Sequence, residues 1–168
     1  MNIPSHLKKV RDISVTEQEL IDFESKVRDS YEAGKISGPI HLAKNNEKEL
    51  IEIFQYISED DWVFVPWRNH YHAILHGVAL ALKTKGSDRR VWCFVGDMTS
   101  ETGVFYEAHK YAKNFDLPLQ WVVEDNNMSV HTPTDMAWGE KQQVPEGVIY
   151  YEYDMSYPHH GTGKWVNF

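Results

Sequence analysis

The chain has 168 residues, 42% of them hydrophobic, and its formal net charge is −8 at pH 7. This length suits one ordinary domain with a real core, and the acidic balance argues against nucleic-acid binding, which needs a basic surface. The longest apolar run is too short to cross a bilayer, and the N-terminus lacks the apolar core of a signal peptide. We therefore expect a cytoplasmic protein that binds neither nucleic acid nor membrane.

The N-terminal third is predicted to be helical. Residues 1–15 are mixed in character and are expected to form an irregular arm. Thr16 and Glu19 form a capping-box pattern, and apolar residues then recur at helical spacing until Gly34, which suits a helix end. Asn46 repeats the start signal before a second amphipathic segment.

The middle of the chain is predicted to alternate between strands and helices. A short strand over residues 62–65 is ended by Pro66, and residues 71–83 form a helix that is apolar on most sides. The next strand covers residues 91–95 and contains the single cysteine, Cys93. We interpret this cysteine as a buried side chain in a reducing compartment rather than as a nucleophile.

A second apolar strand follows in the sequence, and both strands end in polar residues. An amphipathic segment over residues 102–114 separates the two strands, which is the pattern of a βαβ unit with adjacent parallel strands. Asp97 and Asn126, 29 positions apart, then lie at neighbouring carboxyl ends, where open α/β sheets place ligands. A carboxylate and an amide oxygen suit Mg²⁺. Asp97 could instead be a helix N-cap.

The C-terminal part is predicted to contain a loop from Thr132, a last strand over residues 148–153 and a tail over residues 154–168. The expected fold class is therefore α/β, with a parallel β-sheet flanked by helices. The segment from His159 to Lys164 is open to three interpretations: a phosphate-binding loop, a subunit contact or a disordered end. We favour an ordered tail at a subunit interface, because the strand-turn-helix context of a phosphate loop is absent.

The stretch from Val91 to Thr134 resembles the thiamine-diphosphate-binding motif, in which Gly-Asp-Gly is followed at a distance by Asn-Asn. The likeness is to the alpha subunit of 2-oxo acid dehydrogenases, a transketolase-like family, whose metal-ligating Asn matches Asn126 in register. Three further blocks match the family in the same order: residues 34–42, 67–70 and 77–81. Four ordered blocks are far more specific than a lone Gly-Asp pair.

The resemblance implies two cofactors, thiamine diphosphate and Mg²⁺, and a set of residues that hold them. The metal would be bound by Asp97, Asn126 and the backbone carbonyl of Met128. Catalytic roles fall to His41 and His70, on the reaction side or at the diphosphate end. Arg68 could also be a surface salt-bridge partner. The cofactor-binding residues would be Trp67, Arg68, Gly96, Asp97, Met98, Thr99 and Asn126.

The chain departs from the family pattern in three ways. Met98 replaces the last glycine of Gly-Asp-Gly, and Trp67 replaces a tyrosine. A segment between the second and third blocks, and the region after the last strand, have no counterpart here. We therefore expect residues 1–168 to form a single minimal diphosphate-binding domain. The resemblance then implies a separate beta-like subunit whose pyrimidine domain supplies the activating Glu, in an α₂β₂ heterotetramer.

The expected reaction is decarboxylation of a 2-oxo acid or cleavage of a ketose, followed by transfer of the resulting unit to an acceptor. One alternative is a catalytically inactive structural or regulatory subunit of the same fold. Another is a metal-dependent hydrolase that uses the histidines at positions 70, 72, 76, 159 and 160. These histidines lack a recognisable ligand spacing such as His-Glu-x-x-His.

Overall fold

The computed structural model describes residues 1–66, 89–141 and 143–167. A four-stranded sheet with the order β1-β2-β3-β6 lies at its centre, and each neighbouring pair is parallel. This architecture confirms the predicted α/β class. The strands are β1 (Trp62–Phe64), β2 (Val91–Gly96), β3 (Leu119–Asp125) and β6 (Ile149–Glu152).

The two strands of the predicted βαβ unit are adjacent, and they end level with each other. Gly96, the last residue of β2, is in register with Glu124 near the end of β3. Two helices connect these strands: the short α3 (Asp97–Ser100) and the longer α4 (Gly103–Asn114). Because parallel strands share a carboxyl edge, the residues that follow β2 and β3 meet at one side of the sheet.

The helices α1 (Glu17–Glu32) and α2 (Glu47–Phe54) precede the sheet. The predicted capping box of α1 is present, with the Thr16 side chain and the Glu19 side chain each bonded to the other's backbone N–H. Helix α2 begins where the sequence predicted, but the Asn46 side chain does not cap it. Asn46 is buried against β6, and its side-chain amide nitrogen donates instead to the Tyr151 hydroxyl at 3.1 Å.

Apolar side chains cover both faces of the sheet, which makes the domain three layers deep. Alternate residues of a strand point to opposite faces, so Val122 joins one core while Val123 joins the other. The core between the sheet and the first two helices includes Leu20, Leu50, Phe54, Trp92 and Ile149; the core under α4 includes Phe105 and Val148. Within the described ranges, no helix combines the length and apolarity that crossing a membrane requires.

The segment after β3 is more ordered than the predicted loop. It contains a small antiparallel hairpin, β4 (Met128–Ser129) and β5 (Thr132–Pro133), followed by the short helix α5 (Thr134–Trp138). The prediction of a loop from Thr132 was wrong because Thr132 pairs with Ser129 across the hairpin, a contact that local sequence does not signal.

The C-terminal tail is without helix or strand from residue 153 to residue 167, but it is anchored to its own chain. The Gly161 N–H donates to the Ile40 carbonyl at 2.8 Å, and Lys164 pairs with Glu32 of α1 at 2.7 Å. Val166 packs against the cluster formed by Tyr31 and its neighbours. The tail therefore lies along α1 and the segment around Ile40.

Candidate active site

A cleft of about 260 Å³ opens at the carboxyl ends of β2 and β3. Its walls come from the turn into α3, from the end of β3 and from the β4–β5 hairpin. They include six residues predicted to bind cofactor or metal: Gly96, Asp97, Met98, Thr99, Asn126 and Met128. The structure therefore brings together residues that lie up to 32 positions apart in the sequence.

Asp97 is almost fully buried at the base of this cleft. It is the first residue of α3, and Gly96 occupies the N-cap position. The Asp97 carboxylate therefore does not cap the helix; it accepts a hydrogen bond from the Thr134 hydroxyl. Burial raises the pKa of Asp97 above the ordinary carboxyl value; the nearby Asp125 charge adds to this, while the Thr134 bond opposes it. A bound cation would offset this cost of keeping the carboxylate charged.

Asn126 is held by hydrogen bonds on both sides of its amide. Its nitrogen donates to the Tyr153 hydroxyl at 3.0 Å, and its Oδ1 accepts from the Met128 N–H at 3.0 Å. An amide oxygen has two lone pairs, so Oδ1 can also bind a cation. These contacts fix the plane of the amide beside the cleft.

Met128 would contribute its backbone carbonyl. It lies opposite Pro133 in the hairpin, and proline has no N–H to donate to that carbonyl. A carboxylate, an amide oxygen and a backbone carbonyl are the hard oxygen donors that Mg²⁺ takes in proteins. The residues present therefore fit a magnesium ion that is shared with a diphosphate.

Asp125, which precedes the predicted ligand Asn126 in the matched motif, is part of a buried polar network. One carboxylate oxygen accepts the Asn127 N–H at 2.8 Å; the other accepts from Lys141 at 2.6 Å and from the Tyr150 hydroxyl. Burial alone would raise the pKa of Asp125, but these hydrogen bonds outweigh it and the pKa is lowered. Asp125 is therefore a charged residue that stabilises the loop containing Asn126 through its hydrogen bond with the Asn127 N–H.

His41, predicted to be catalytic, is buried next to the cleft. Its segment is tied to α1 because the Ala43 N–H donates to the Glu24 carboxylate at 2.7 Å. The His41 ring makes an edge contact with His159, at 5.0 Å between ring centroids, and His159 lines the cleft. The other predicted residues at the diphosphate end, Trp67, Arg68 and His70, lie outside the described residues.

Two alternatives from the sequence lose support. Burial raises the pKa of the Cys93 thiol, which opposes formation of a nucleophilic thiolate. In the part of the chain that the structure describes, no group of three or more His, Cys, Asp or Glu residues is placed to hold a metal ion. That part includes His159 and His160 of the hydrolase alternative, whereas positions 70, 72 and 76 lie outside it.

Sequence reasoning missed several residues that support the site. Thr134 and Tyr153 contact the predicted residues Asp97 and Asn126, and Lys141 contacts Asp125 beside Asn126. No local pattern marks them, because each contact joins residues 16 to 37 positions apart. His159 belonged to a motif that the sequence singled out, yet its place beside the cleft follows only from the path of the tail.

Comparison with known proteins supports the family resemblance. Residues 69–151 match the family model described as "Dehydrogenase E1 component". This range contains β2, β3, β4, β5 and nearly all of β6, together with Asp97, Asn126 and Met128.

Individual relatives point in the same direction. A "Pyruvate dehydrogenase E1 component subunit alpha" of Staphylococcus aureus (strain Mu50) is 37% identical over 57 residues, covering 34% of this chain and 15% of the relative. The protein of the same name from Porphyra purpurea is 22% identical over 182 residues, covering 74% of this chain and 52% of the relative. A "1-deoxy-D-xylulose-5-phosphate synthase" of Ralstonia pickettii (strain 12J) is 43% identical over 58 residues, covering 34% of this chain and 9% of the relative.

The chain spans about half, or less, of the length of these three relatives. The Porphyra purpurea alignment is longer than this entire chain, so that relative contains segments with no counterpart here. The family implies thiamine diphosphate as cofactor. The resemblance inferred from the motifs is confirmed: residues 69–151 are similar to the dehydrogenase E1 component family, and the chain is similar to alpha subunits of pyruvate dehydrogenase.

Proposed function

We propose that this chain is the alpha-like part of an enzyme that binds thiamine diphosphate through Mg²⁺. The reaction is decarboxylation of a 2-oxo acid, or cleavage of a ketose, with transfer of the resulting unit. The observation that carries the proposal is that Asp97, Asn126 and Met128 line one cleft, at the carboxyl ends of two adjacent parallel strands. The similarity to a pyruvate dehydrogenase subunit supports the 2-oxo acid as substrate, and the similarity to a synthase that is named for a ketose phosphate supports ketose chemistry.

Each predicted site residue has a proposed role. Asp97, Asn126 and the Met128 carbonyl hold the metal, while Gly96, Met98 and Thr99 line the diphosphate. Arg68 and Trp67 complete the diphosphate site, and His41 and His70 act on the reaction side. When bound, thiamine diphosphate supplies the carbon nucleophile and the electron sink of the reaction. The chain's own residues orient the cofactor and, through the metal and Arg68, balance the negative charge of its diphosphate.

We propose a beta-like subunit as the partner, with a pyrimidine domain that supplies the activating Glu, in an α₂β₂ assembly. Large exposed apolar side chains on the β4–β5 turn and on α5 support a protein contact beside the cleft. Val130, on the cleft wall, is half exposed; Trp138, whose indole N–H donates to the Met98 sulfur, is also half exposed; and Met136 is 80% exposed. Exposed apolar residues that cluster next to a site are typical of an interface. The single, free Cys93 fits a reducing compartment, and we place the assembly in the cytoplasm.

A catalytically inactive subunit of the same fold is the second candidate. The Met98 side chain favours it, because it stands where the family has a glycine and it lines the cleft that would receive the diphosphate. An inactive subunit of this kind would have lost cofactor binding. The buried Asp97 beside Asn126 argues for retained binding, and the following experiment separates the two.

The test is isothermal titration calorimetry of thiamine diphosphate with Mg²⁺, comparing the unchanged chain with Asp97→Asn. Asparagine can still accept the Thr134 hydrogen bond but has lost the charge that binds the cation, so we expect at least about a tenfold loss of affinity. Asp12→Asn, at an exposed position of the N-terminal arm, is the matched control and should bind normally. Equal affinity in all three proteins would remove Asp97 from the metal site. No binding by any of them would favour the inactive subunit.

A further inference from the structure

Four histidines from three separate segments form one cluster beside the cleft. His159, in the C-terminal tail, contacts all the others: its ring centroid lies 5.0 Å from that of His41, 5.9 Å from His131 and 5.8 Å from His160. His131 and His160 are 6.3 Å apart. All four contacts are edge-on, with interplanar angles between 67° and 85°.

The cluster lies at one wall of the cleft and is partly open to solvent. His159 lines the cleft together with Val130, the residue that precedes His131 in the β4–β5 turn. His41 is buried behind His159, whereas His131 and His160 are exposed. Packing alone does not require two exposed imidazoles next to each other. The placement instead puts His159 on the cleft wall with three further imidazoles next to it.

The tail is held in the position that the cluster needs. The Gly161 N–H donates to the carbonyl of Ile40, the residue before His41, so the backbones on both sides of the His41–His159 contact are joined. Gly161 has a positive φ of 70°, and a Cβ there would lie 3.3 Å from the Tyr31 hydroxyl. The turn that follows His159 and His160 is therefore fixed against α1.

The chemistry of this wall suits an anion. Every imidazole keeps at least one N–H donor whether it is neutral or charged, so four adjacent rings can bind several oxygens of one group. The chain as a whole has a net charge of −8, which repels acidic molecules. The cleft is also lined by the acidic residues Asp97 and Glu124, which suit a cation. An acidic substrate would therefore be bound on the histidine side.

We propose that His41, His131, His159 and His160 form the site that binds the anionic group of the substrate. That group is the carboxylate of a 2-oxo acid or the phosphate of a ketose phosphate. The inference rests on the proposed function, because it takes the cleft to be the place where a cofactor meets its substrate. It assigns a binding role to the tail, for which the sequence alone predicts a subunit contact.

The test is an NMR titration of the histidine side chains, isotopically labelled in residues 1–168 without cofactor. Two probes are added separately at constant pH: pyruvate, for a 2-oxo acid, and inorganic phosphate, for a ketose phosphate. We expect one probe to shift the His131, His159 and His160 signals together in a saturable manner. We also expect His159→Asn to weaken that binding about tenfold or more, because it removes the central ring. His6→Asn, in the N-terminal arm, is the control and should leave the affinity unchanged.

The outcomes are distinct from those of the proposed function. Thiamine diphosphate binding is measured by calorimetry on the same variants, and His159→Asn should retain it because Asp97 and Asn126 are intact. Normal cofactor binding with no saturable shift for either probe would overturn the histidine site and leave the proposed function standing. Equal probe affinity in His159→Asn and in the unchanged chain would also overturn it. A saturable shift without any cofactor binding would support the anion site and contradict the proposed function.

Discussion

At the scale of single residues, the buried carboxylate of Asp125 controls the loop that carries Asn126. It accepts the N–H of Asn127, whose φ of 55° lies in the left-handed region, and so it stabilises a turn that non-glycine residues seldom adopt. The Lys141 ammonium, 2.6 Å away, supplies the opposite charge that a buried carboxylate needs. Lys141 is therefore a positioning residue for the proposed metal site.

Removing that cation should destabilise the fold. In Lys141→Met the Asp125 carboxylate remains buried without its cation, and we expect the free energy of unfolding to fall by about 2 kcal/mol. This is less than for a fully buried pair, because the Lys141 side chain is 30% exposed and the Tyr150 bond remains. Urea denaturation measures the change.

A double-mutant cycle provides the control for this interaction. Asp125→Asn, combined with Lys141→Met, removes both charges, so the double variant should be more stable than Lys141→Met alone. If the changes in the free energy of unfolding caused by the two substitutions simply add, the ion pair does not stabilise the loop, and Lys141 has no positioning role.

The Asp125 network also shows where sequence reasoning stopped. The aspartate stands where the family has an asparagine, so the sequence displayed the extra charge but not its partner. Lys141 follows α5 in a loop without periodic pattern, and no spacing rule connects it to Asp125. Asp97 and Asn126, in contrast, could be predicted because the βαβ pattern alone places both strand ends at one edge.

At the scale of elements, Asp61 fixes β1 against β2. One oxygen accepts the Arg90 N–H at 2.8 Å; the other accepts the Ser58 N–H at 3.0 Å and the indole N–H of the fully buried Trp92 at 2.9 Å. A single side chain therefore connects the turn after α2, the start of β1 and the start of β2.

We expect Asp61→Ala to lower the free energy of unfolding by about 2–3 kcal/mol, because it leaves the buried Trp92 N–H and two backbone donors without their acceptor. Asp60→Ala is the matched control. Asp60 is 39% exposed and lies 3.9 Å from Arg89, so its loss should cost about 0.5 kcal/mol or less. Thermal or urea unfolding of both variants measures the difference, and equal effects would contradict the role of Asp61.

Two glycines of the tail offer a matched comparison. Gly161 and Gly163 both have positive φ angles, 70° and 82°, so alanine at either should cost about 1–2 kcal/mol in backbone strain. Only at Gly161 would the added Cβ also meet Tyr31, at 3.3 Å from its hydroxyl. We therefore expect Gly161→Ala to lower the protection of tail amides against hydrogen exchange more than Gly163→Ala. The reverse order would show that the tail is not seated on Tyr31.

Most elements could be predicted from periodicity and caps. The boundaries of α1, α4 and β2 fall within two residues of those that the sequence indicated, because each has a strong local signal. The β4–β5 hairpin and α5 were missed because they are too short for a period to appear. Their formation depends on contacts such as the Thr134 N–H with the Asn127 carbonyl, which join the two ends of the segment.

At the scale of the whole molecule, cofactor binding and folding should be linked. The metal and diphosphate would bind only the folded cleft, because the loops that carry Asp97 and Asn126 come from separate elements. Thiamine diphosphate at about 100 times its Kd should stabilise the fold by about 2.7 kcal/mol. Differential scanning fluorimetry should show a rise in Tm that EDTA abolishes. A rise that persists in EDTA would contradict binding through the metal.

The central claim concerns where the cofactor binds, and the most direct measurement is a crystal structure of the chain with thiamine diphosphate and Mg²⁺. The account predicts a magnesium ion in the cleft, in contact with Asp97, Asn126 Oδ1 and the Met128 carbonyl, with the diphosphate beside Gly96 and Thr99. A cofactor bound elsewhere, or a metal held without Asp97 and Asn126, would contradict it.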